Sequence, residues 1–440
     1  MIHPFQSVAS NSDGSLLFFV IKNSILVYSV KDSNDEFKLV GEWSDEADST
    51  AIIKEKVTKE QQRQLAENTA KKLKANDGTA LPQEHKEAKI PKPGQGAPPI
   101  YQYIRNVKLS RDGKWLFACT DSDKAIVMFE ISAEDKNNCL RLAKRQRLPK
   151  RPNAITTTID DKQLIVADKF GDLYSFGVND DQPCVNPEPI LGHVSLLTDV
   201  AIGLDSNGKQ LVFTSDRDEH IRITHFPQSF IIDKWLFGHK EFISTMCLPV
   251  WAPELLFSAG GESSIFSWNW QTGELLDRFN IAELIQPFLT ENHLAPDRFQ
   301  NKEGNLIEYS VSKIVTFDSL PLIAFFIEAT KAIFTCQINR DSGKIALKQV
   351  LEVPYNVVSL ACAETTGELI ATLDNQNSHD KNFVAFISMD VDKFHINQSK
   401  QQKFDDFINS RLSDNEIANI EQEGIYPLYH VASLRKRGEH

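Results

Sequence analysis

A cadence runs through this chain. An apolar strand, a turn carrying Asp or Glu, and a strand opening on Ile or Leu recur at Cys119–Phe129, Ala167–Phe176, Thr214–Ile223 and Ser258–Trp268. The residues that anchor the later strand, Ile126, Leu173, Ile221 and Ile265, stand 47, 48 and 44 positions apart. A period in this range marks an array of like units, and four short strands per unit make each unit the blade of a β-propeller.

The length accommodates a full ring. Three stretches carry no repeat signal: 48–98, 281–304 and 399–423. Without them the 440 residues hold about seven such units, a common propeller size. Three strands per blade are legible in 5–30, 104–131, 154–178, 198–226, 243–270, 311–337 and 357–387, and Phe37–Trp43 supplies a fourth to the first blade. The expected fold is therefore all-β, a seven-bladed propeller. Residues 1–47 form blade one, 48–98 an insertion, 99–398 blades two to seven, and 399–440 a C-terminal segment that helps close the ring. Closure is expected to use strands from both ends of the chain. The insertion is rich in Lys, Glu, Gln and Asn and ends in Pro91-Lys92-Pro93-Gly94. Such a composition buries too little apolar surface to order itself, so it reads as a disordered loop with a transient helix over 58–74. Residues 281–294 read as a short helical excursion after blade five.

Composition narrows the function classes. With 60 acidic against 48 basic residues and a net charge of −12, the chain is a poor stand-alone nucleic-acid binder, because phosphate affinity comes from clustered cations. The six cysteines (119, 139, 184, 247, 336, 362) show no Cys-x-x-Cys spacing. That argues against a zinc site or a disulfide framework and suits a reducing compartment. No apolar run has the length of a membrane span and the N-terminus is no signal peptide, so a soluble intracellular protein is expected.

Catalytic motifs are missing. There is no Walker loop, no Gly-x-Ser-x-Gly elbow and no His-Glu-x-x-His, and Gly94-Gln95-Gly96 lies in a Pro-rich loop rather than between strand and helix. His220 and His225, five apart on a strand, face opposite sides and do not share a metal. No catalytic residue and no metal ligand is assigned.

Two stretches speak for binding. Leu140–Pro152 gathers Arg141, Lys144, Arg145, Arg147, Lys150 and Arg151 in an acidic chain. It reads either as a solvated outer strand or as an RNA-phosphate or nuclear-import patch. Ser215–Arg222 packs alternating charges into one turn and the strand after it. If Ile221 and Ile223 face the packing, Arg222 faces the other side, where it either covers a neighbouring blade or offers its fork to a partner carboxylate.

Gly192-His193 and Gly238-His239, each ahead of a blade, resemble the WD-repeat family. That resemblance implies structural pairs of His193 with Asp218 and of His239 with Glu262. The likeness then becomes more specific. Gly96–Asn106, Lys150–Ile155, Ala167-Asp168-Lys169-Phe170-Gly171-Asp172, Leu191–Val200, Ser215–Ile221, Asp233–Lys240, His293–Gln300 and Ser433–His440 resemble the fungal WD-repeat subunit of the tRNA guanine-N7 methyltransferase over nearly the whole chain. The resemblance implies a non-catalytic partner that binds and stabilises a separate catalytic subunit as a heterodimer. That subunit holds S-adenosylmethionine and forms N7-methylguanosine in the tRNA variable loop, so no cofactor is expected on this chain. It further implies a partner contact at Arg222, with Arg217, Asp218 and Lys169 at neighbouring turns, RNA met through the complex, and a nuclear location shared with the cytoplasm. Two rival readings are a generic WD scaffold of a chromatin or ubiquitin-ligase complex and a propeller hydrolase with groups gathered at its channel.

Overall fold

The computed structural model describes residues 5–31, 36–47, 51–74, 103–132, 135, 137–375, 382–410 and 428–437. Over them the chain forms seven four-stranded antiparallel sheets, each built from four consecutive strands. Blade one spans Ser7–Ser44, blade two Ile104–Arg147, blade three Pro152–Gly192, and blade four Leu197–Leu236. Blade five spans Ile243–Asn280, blade six Val311–Glu352 and blade seven Asn356–Ile396. The seven-bladed ring expected from the period is the fold found.

The blades pack because their second and third strands are apolar on both faces. Successive side chains point to opposite sides of a sheet, yet every residue of Leu255–Gly260 and Leu322–Ile327 is buried. Neighbouring blades cover both sides, so these strands are continuous apolar runs and do not alternate. Outer strands such as Glu274–Asn280 carry charge and meet water. Seven apolar clusters result, one at each seam. At the seam of blades two and three, for example, Ile126 and Met128 meet Leu164, Val166 and Tyr174.

Polar links join the innermost strands. Asp199 Oδ2 accepts the amide of Met246 at 2.7 Å, and Thr245 Oγ1 accepts that of Ile314 at 3.3 Å, each one blade onward.

Ring closure differs from expectation. Among the described residues no strand is shared between the chain ends, because Glu36–Ser44 already completes blade one and Lys393–Ile396 completes blade seven. A helix seals the seam instead. Helix α3 (Gln398–Asn409) is capped by the Asn397 side chain, which accepts from Lys400 N. It places Phe404, 1% exposed, against Phe19, Tyr28 and Phe37 of blade one and Phe386 of blade seven.

The insertion leaves the ring after blade one. Its first half is helix α1 (Ala51–Lys74), numbered first in chain order and seven residues longer at its start than the expected 58–74. Exposed pairs such as Lys59–Glu55 at 2.8 Å and Arg63–Glu60 at 2.9 Å run along it, the spacing at which helical side chains meet. Residues 75–98, expected to be disordered, lie outside the described residues. After blade five, α2 (Ala282–Ile285) and three 3-10 turns reaching Phe299 form the expected excursion.

Candidate protein-docking face

In a four-stranded blade the turn between strands two and three and the connection to the next blade fall at the same end of the ring. Every partner residue expected from the sequence lies at or just below that end, here called the upper end.

Two histidines brace it from inside. His239, 6% exposed, holds Glu262 through Nδ1 at 2.7 Å and Ser258 Oγ through Nε2 at 2.8 Å, and Trp268 Nε1 donates to the same Ser258 at 2.9 Å. Burial lowers the His239 pKa despite the carboxylate beside it. The expected pair is present. The other pair needs correction: His193 Nδ1 meets Asp216 Oδ2 at 3.0 Å, not Asp218, and Nε2 meets Thr214 Oγ1 at 2.8 Å. Asp216 ends its strand and points inward, where Oδ1 also accepts the amides of Asp218 and His220. In blade five the residue at the end of the matching strand is Gly260, where a Cβ would stand 1.8 Å from the Phe242 carbonyl oxygen. There the longer Glu262 reaches the histidine from the turn instead.

Of the two readings of Arg222, the arrangement found is the one that covers a neighbouring blade. Arg222 does face away from Ile221 and Ile223, but that side is covered as well, and the residue is 8% exposed. Its Nη1 donates to Gly192 O at 3.0 Å, Nε to Thr224 Oγ1 at 3.1 Å, and the guanidinium lies 5.7 Å over the Trp235 ring. Burial lowers its pKa from the usual arginine value. The side chain bolts blade four to the last strand of blade three and does not reach outward.

Part of the basic strand is likewise turned to interblade work. Arg145 bridges Asp123 at 2.6 Å and Asp45 at 3.1 Å, both carboxylates almost wholly buried, and Arg147 Nε meets Asp123 at 3.1 Å. Burial alone would raise the Asp123 pKa, but the two arginines hold it below the usual carboxylate range. Lys144 donates to the carbonyls of Gly177 and Asp180 in blade three, Arg141 pairs with Glu130, and Arg151 lies 3.6 Å from Asp121. Lys150 sits 4.1 Å over the Phe170 ring. Arg145 and Lys144 thus tie blade two to its neighbours, while Arg141 and Arg147 pair with carboxylates of their own blade and remain 71% and 55% exposed.

The tips of the upper end carry the exposed chemistry. Lys169 and Phe170 stand on the blade-three turn, with Phe170 59% exposed. Val194, fully exposed, and Phe237, 65% exposed, stand on the connections flanking blade four, with Trp235 stacked on Phe237. Burial, Arg151 and Arg105 lower the Lys169 pKa. Asp218 is spent within the chain: Oδ1 accepts Ser195 Oγ at 2.5 Å and Oδ2 pairs with Lys436 at 2.5 Å.

Lys436 belongs to a feature not foreseen from the sequence. Residues 428–437 lie along the upper end as a strap. Tyr429 Oη donates to Asp374 of blade seven at 2.5 Å, and Glu328 of blade six accepts the amides of His430, Val431 and Ala432. Arg435 donates to Gly261 O of blade five and pairs with Glu241 at 2.7 Å, and Arg437 pairs with Glu308 at 2.5 Å. The Ser433–His440 string was visible in the sequence, but nothing in it names acceptors more than 100 residues away.

Among the described residues no three His, Cys, Asp or Glu side chains are grouped to hold a metal ion. All six cysteines are unpaired, and burial pushes Cys139 up to about 11 and Cys247 and Cys336 up to about 12, far from the reactive thiolate range.

The fold defines a WD40 propeller. A family profile described as "tRNA methyltransferase TRM82 WD40 domain" matches residues 17–189 and 178–385. The chain is 56% identical to the tRNA (guanine-N(7)-)-methyltransferase non-catalytic subunit TRM82 of Kluyveromyces lactis, covering all of both chains. It is 46% identical to the protein of the same name from Saccharomyces cerevisiae (strain RM11-1a), covering all of this chain and 99% of that one. Among solved structures it resembles U3-55K (TM-score 0.56, 14% identity, covering 85% and 89%) and the RRP9 WD40 repeats (0.55, 14%, 85% and 88%), a likeness of fold alone. The chain belongs to the TRM82 family, the non-catalytic subunits of tRNA (guanine-N7)-methyltransferase.

Proposed function

We propose that this propeller binds and stabilises the catalytic subunit of the methyltransferase through the exposed tips of its upper end at blades three and four. One observation carries the reading: Phe170, Val194 and Phe237 are exposed there among Lys169 and Arg217. Large apolar side chains set among cations on an otherwise polar surface mark a protein interface. On this reading S-adenosylmethionine is held by the partner, tRNA is met through the complex, and the isolated propeller neither binds that cofactor nor transfers methyl groups. Arg222 acts from beneath, since its bond to Gly192 O fixes the connection that carries Val194.

The test is Phe170→Asp combined with Phe237→Asp, with binding to the separately purified catalytic subunit read by calorimetry. Each aromatic anchor is worth about 2 kcal/mol if it sits centrally in the interface, so the double variant should lose most of the complex while its own melting stays near the parent's. Parent-like affinity would place the interface elsewhere.

A further inference from the structure

We propose that the central channel binds a small inorganic oxyanion of the sulfate or phosphate class, held by Lys313, Lys108 and the Leu360 amide. The anion supplies the link from blade six to blade seven that Lys313 cannot make.

The repeat locates the site. Blades four to seven each bulge near the start of the innermost strand, at Thr198, Ser244, Ser312 and Val358. The residues that follow are Asp199, Thr245, Lys313 and Ser359. Asp199, Thr245 and Ser359 each accept the amide one blade onward, from Met246, Ile314 and Val8. A lysine carries donors and no acceptor, so blade six offers nothing at this position. The amide in question is that of Leu360. It pairs with Ala371 as Met246 pairs with Ser258 and Ile314 with Phe325, and its N–H therefore faces the same way as theirs. Among the described residues no side chain accepts it.

A second ammonium reaches the same space. Lys108, on the innermost strand of blade two, interacts electrostatically with Asp199 of blade four, Cys247 of blade five, Lys313 of blade six and Glu364 of blade seven. A cation felt by four separate blades lies inside the ring. Among the described residues neither lysine has a hydrogen bond or an ion pair. Burial first, then Lys108, lower the Lys313 pKa to about 8. The carboxylates that face the two lysines are Asp199 and Glu364. Asp199 spends Oδ1 on the Val200 amide at 2.8 Å and Oδ2 on that of Met246 at 2.7 Å. Glu364 follows the end of its strand, near Arg111 and Asp318. Burial raises the pKa of both, that of Asp199 to about 6. With both ionised, these four charges balance. What recommends an oxyanion is three donors without acceptors, two of them charged, and charged donors make the stronger hydrogen bonds.

Sulfate is the probe, because its charge does not change between about pH 6 and pH 9. The full-length parent, Lys313→Thr and Lys108→Ala are titrated with sodium sulfate at fixed ionic strength, by calorimetry and by melting. The parent should bind one sulfate, and its melting temperature should rise along a saturating curve. Affinity should fall steadily over that pH range, first as Asp199 ionises and then as Lys313 loses its proton. Lys313→Thr sets in blade six the residue that blade five carries. It should take the Leu360 amide itself, melt no lower than the parent without sulfate, and keep only the shallow linear rise of an excluded salt. Lys108→Ala should bind about tenfold more weakly, the loss of one hydrogen bond to a charged group. A saturating response shared by the parent and Lys313→Thr would overturn the site, as would parent-like affinity in Lys108→Ala or no saturable binding by the parent. Should Lys313→Thr fold poorly, the calorimetric comparison of the parent with Lys108→Ala decides.

Discussion

Ser359 Oγ, on the innermost strand of blade seven, accepts a hydrogen bond from the amide of Val8 in blade one at 3.3 Å. The last blade is thus tied to the first by the same kind of link that joins Asp199 to Met246, and among the described residues no strand crosses the seam. A single neutral hydrogen bond contributes about 1 kcal/mol, so the larger share of closure falls to α3 and its aromatic cluster.

Phe404→Ala should therefore be costly. Removing a fully packed phenyl ring from a core typically costs about 3–5 kcal/mol, and here the ring touches both blades it joins. The measurement is the urea midpoint of the free chain. A shift no larger than that of an exposed control such as Phe230→Ala would show that closure does not depend on the helix.

Arg145 and Arg141 lie on one strand and should behave oppositely. Arg145→Ala leaves Asp45 buried without its cation and Asp123 held by Arg147 alone, a loss of about 3 kcal/mol. Arg141 is 71% exposed beside Glu130, and its replacement should stay within about 0.5 kcal/mol. Thermal melting of the two variants decides the point. Equal, small effects would restore the reading of this strand as a free basic patch.

The contrast shows what sequence could and could not reveal. Ile126, Leu173, Ile221 and Ile265 each stand first or second in a third strand, and a strand buried on both faces announces itself by continuous apolarity, so the blades and their number were legible. Side-chain direction was not. Alternation along Ile221-Arg222-Ile223 normally separates core from solvent, but a propeller has a neighbour on both faces, and Arg222 is enclosed. The His193 partner was misassigned because Asp216 and Asp218 sit two apart in one turn, and only the backbone decides which points inward. The cations of Leu140–Pro152 looked free because their carboxylates, Asp45, Asp121 and Asp123, lie on turns and ends of other strands. Closure by α3 and the strap on Glu328 depend on pairs far apart in the chain, which no local pattern reports.

His430 offers a pH signature for the strap. Burial first, then Arg105 and Arg151, depress its pKa to about 4, against about 6.5 in an unfolded chain. The folded state holds a neutral imidazole, so its contribution is intact above pH 6.5. As pH falls toward 4 the unfolded state takes up the proton first, and stability drops by up to about 3 kcal/mol. Asp199, raised to about 6 by burial, works in the opposite sense between pH 3.8 and 6, so the useful quantity is a difference. Parent minus His430→Gln should be flat above pH 6.5 and move steadily in favour of the variant below it. A flat difference down to pH 4 would mean that the imidazole is not enclosed among those arginines.

Arg222 supplies the sharpest test of how the face is built. Its guanidinium is enclosed between Gly192 O, Thr224 and the Trp235 ring. Arg222→Glu would set a buried carboxylate against the Gly192 carbonyl with no cation in reach, and a lone buried charge typically costs about 3–5 kcal/mol. The free propeller should melt well below the parent. Arg222→Lys keeps the charge but not the planar fork that serves Gly192 and Thr224 together, and should fall between the two. Complex formation by Arg222→Glu should also weaken, because the Gly192–Val194 connection loses its brace, and a compensating Arg placed on the catalytic subunit should not restore it. Melting of the free chains, followed by titration at a temperature where all remain folded, separates the cases. If free Arg222→Glu melts with the parent and a partner Arg rescues binding, Arg222 meets the catalytic subunit directly and rotates out of its slot to do so.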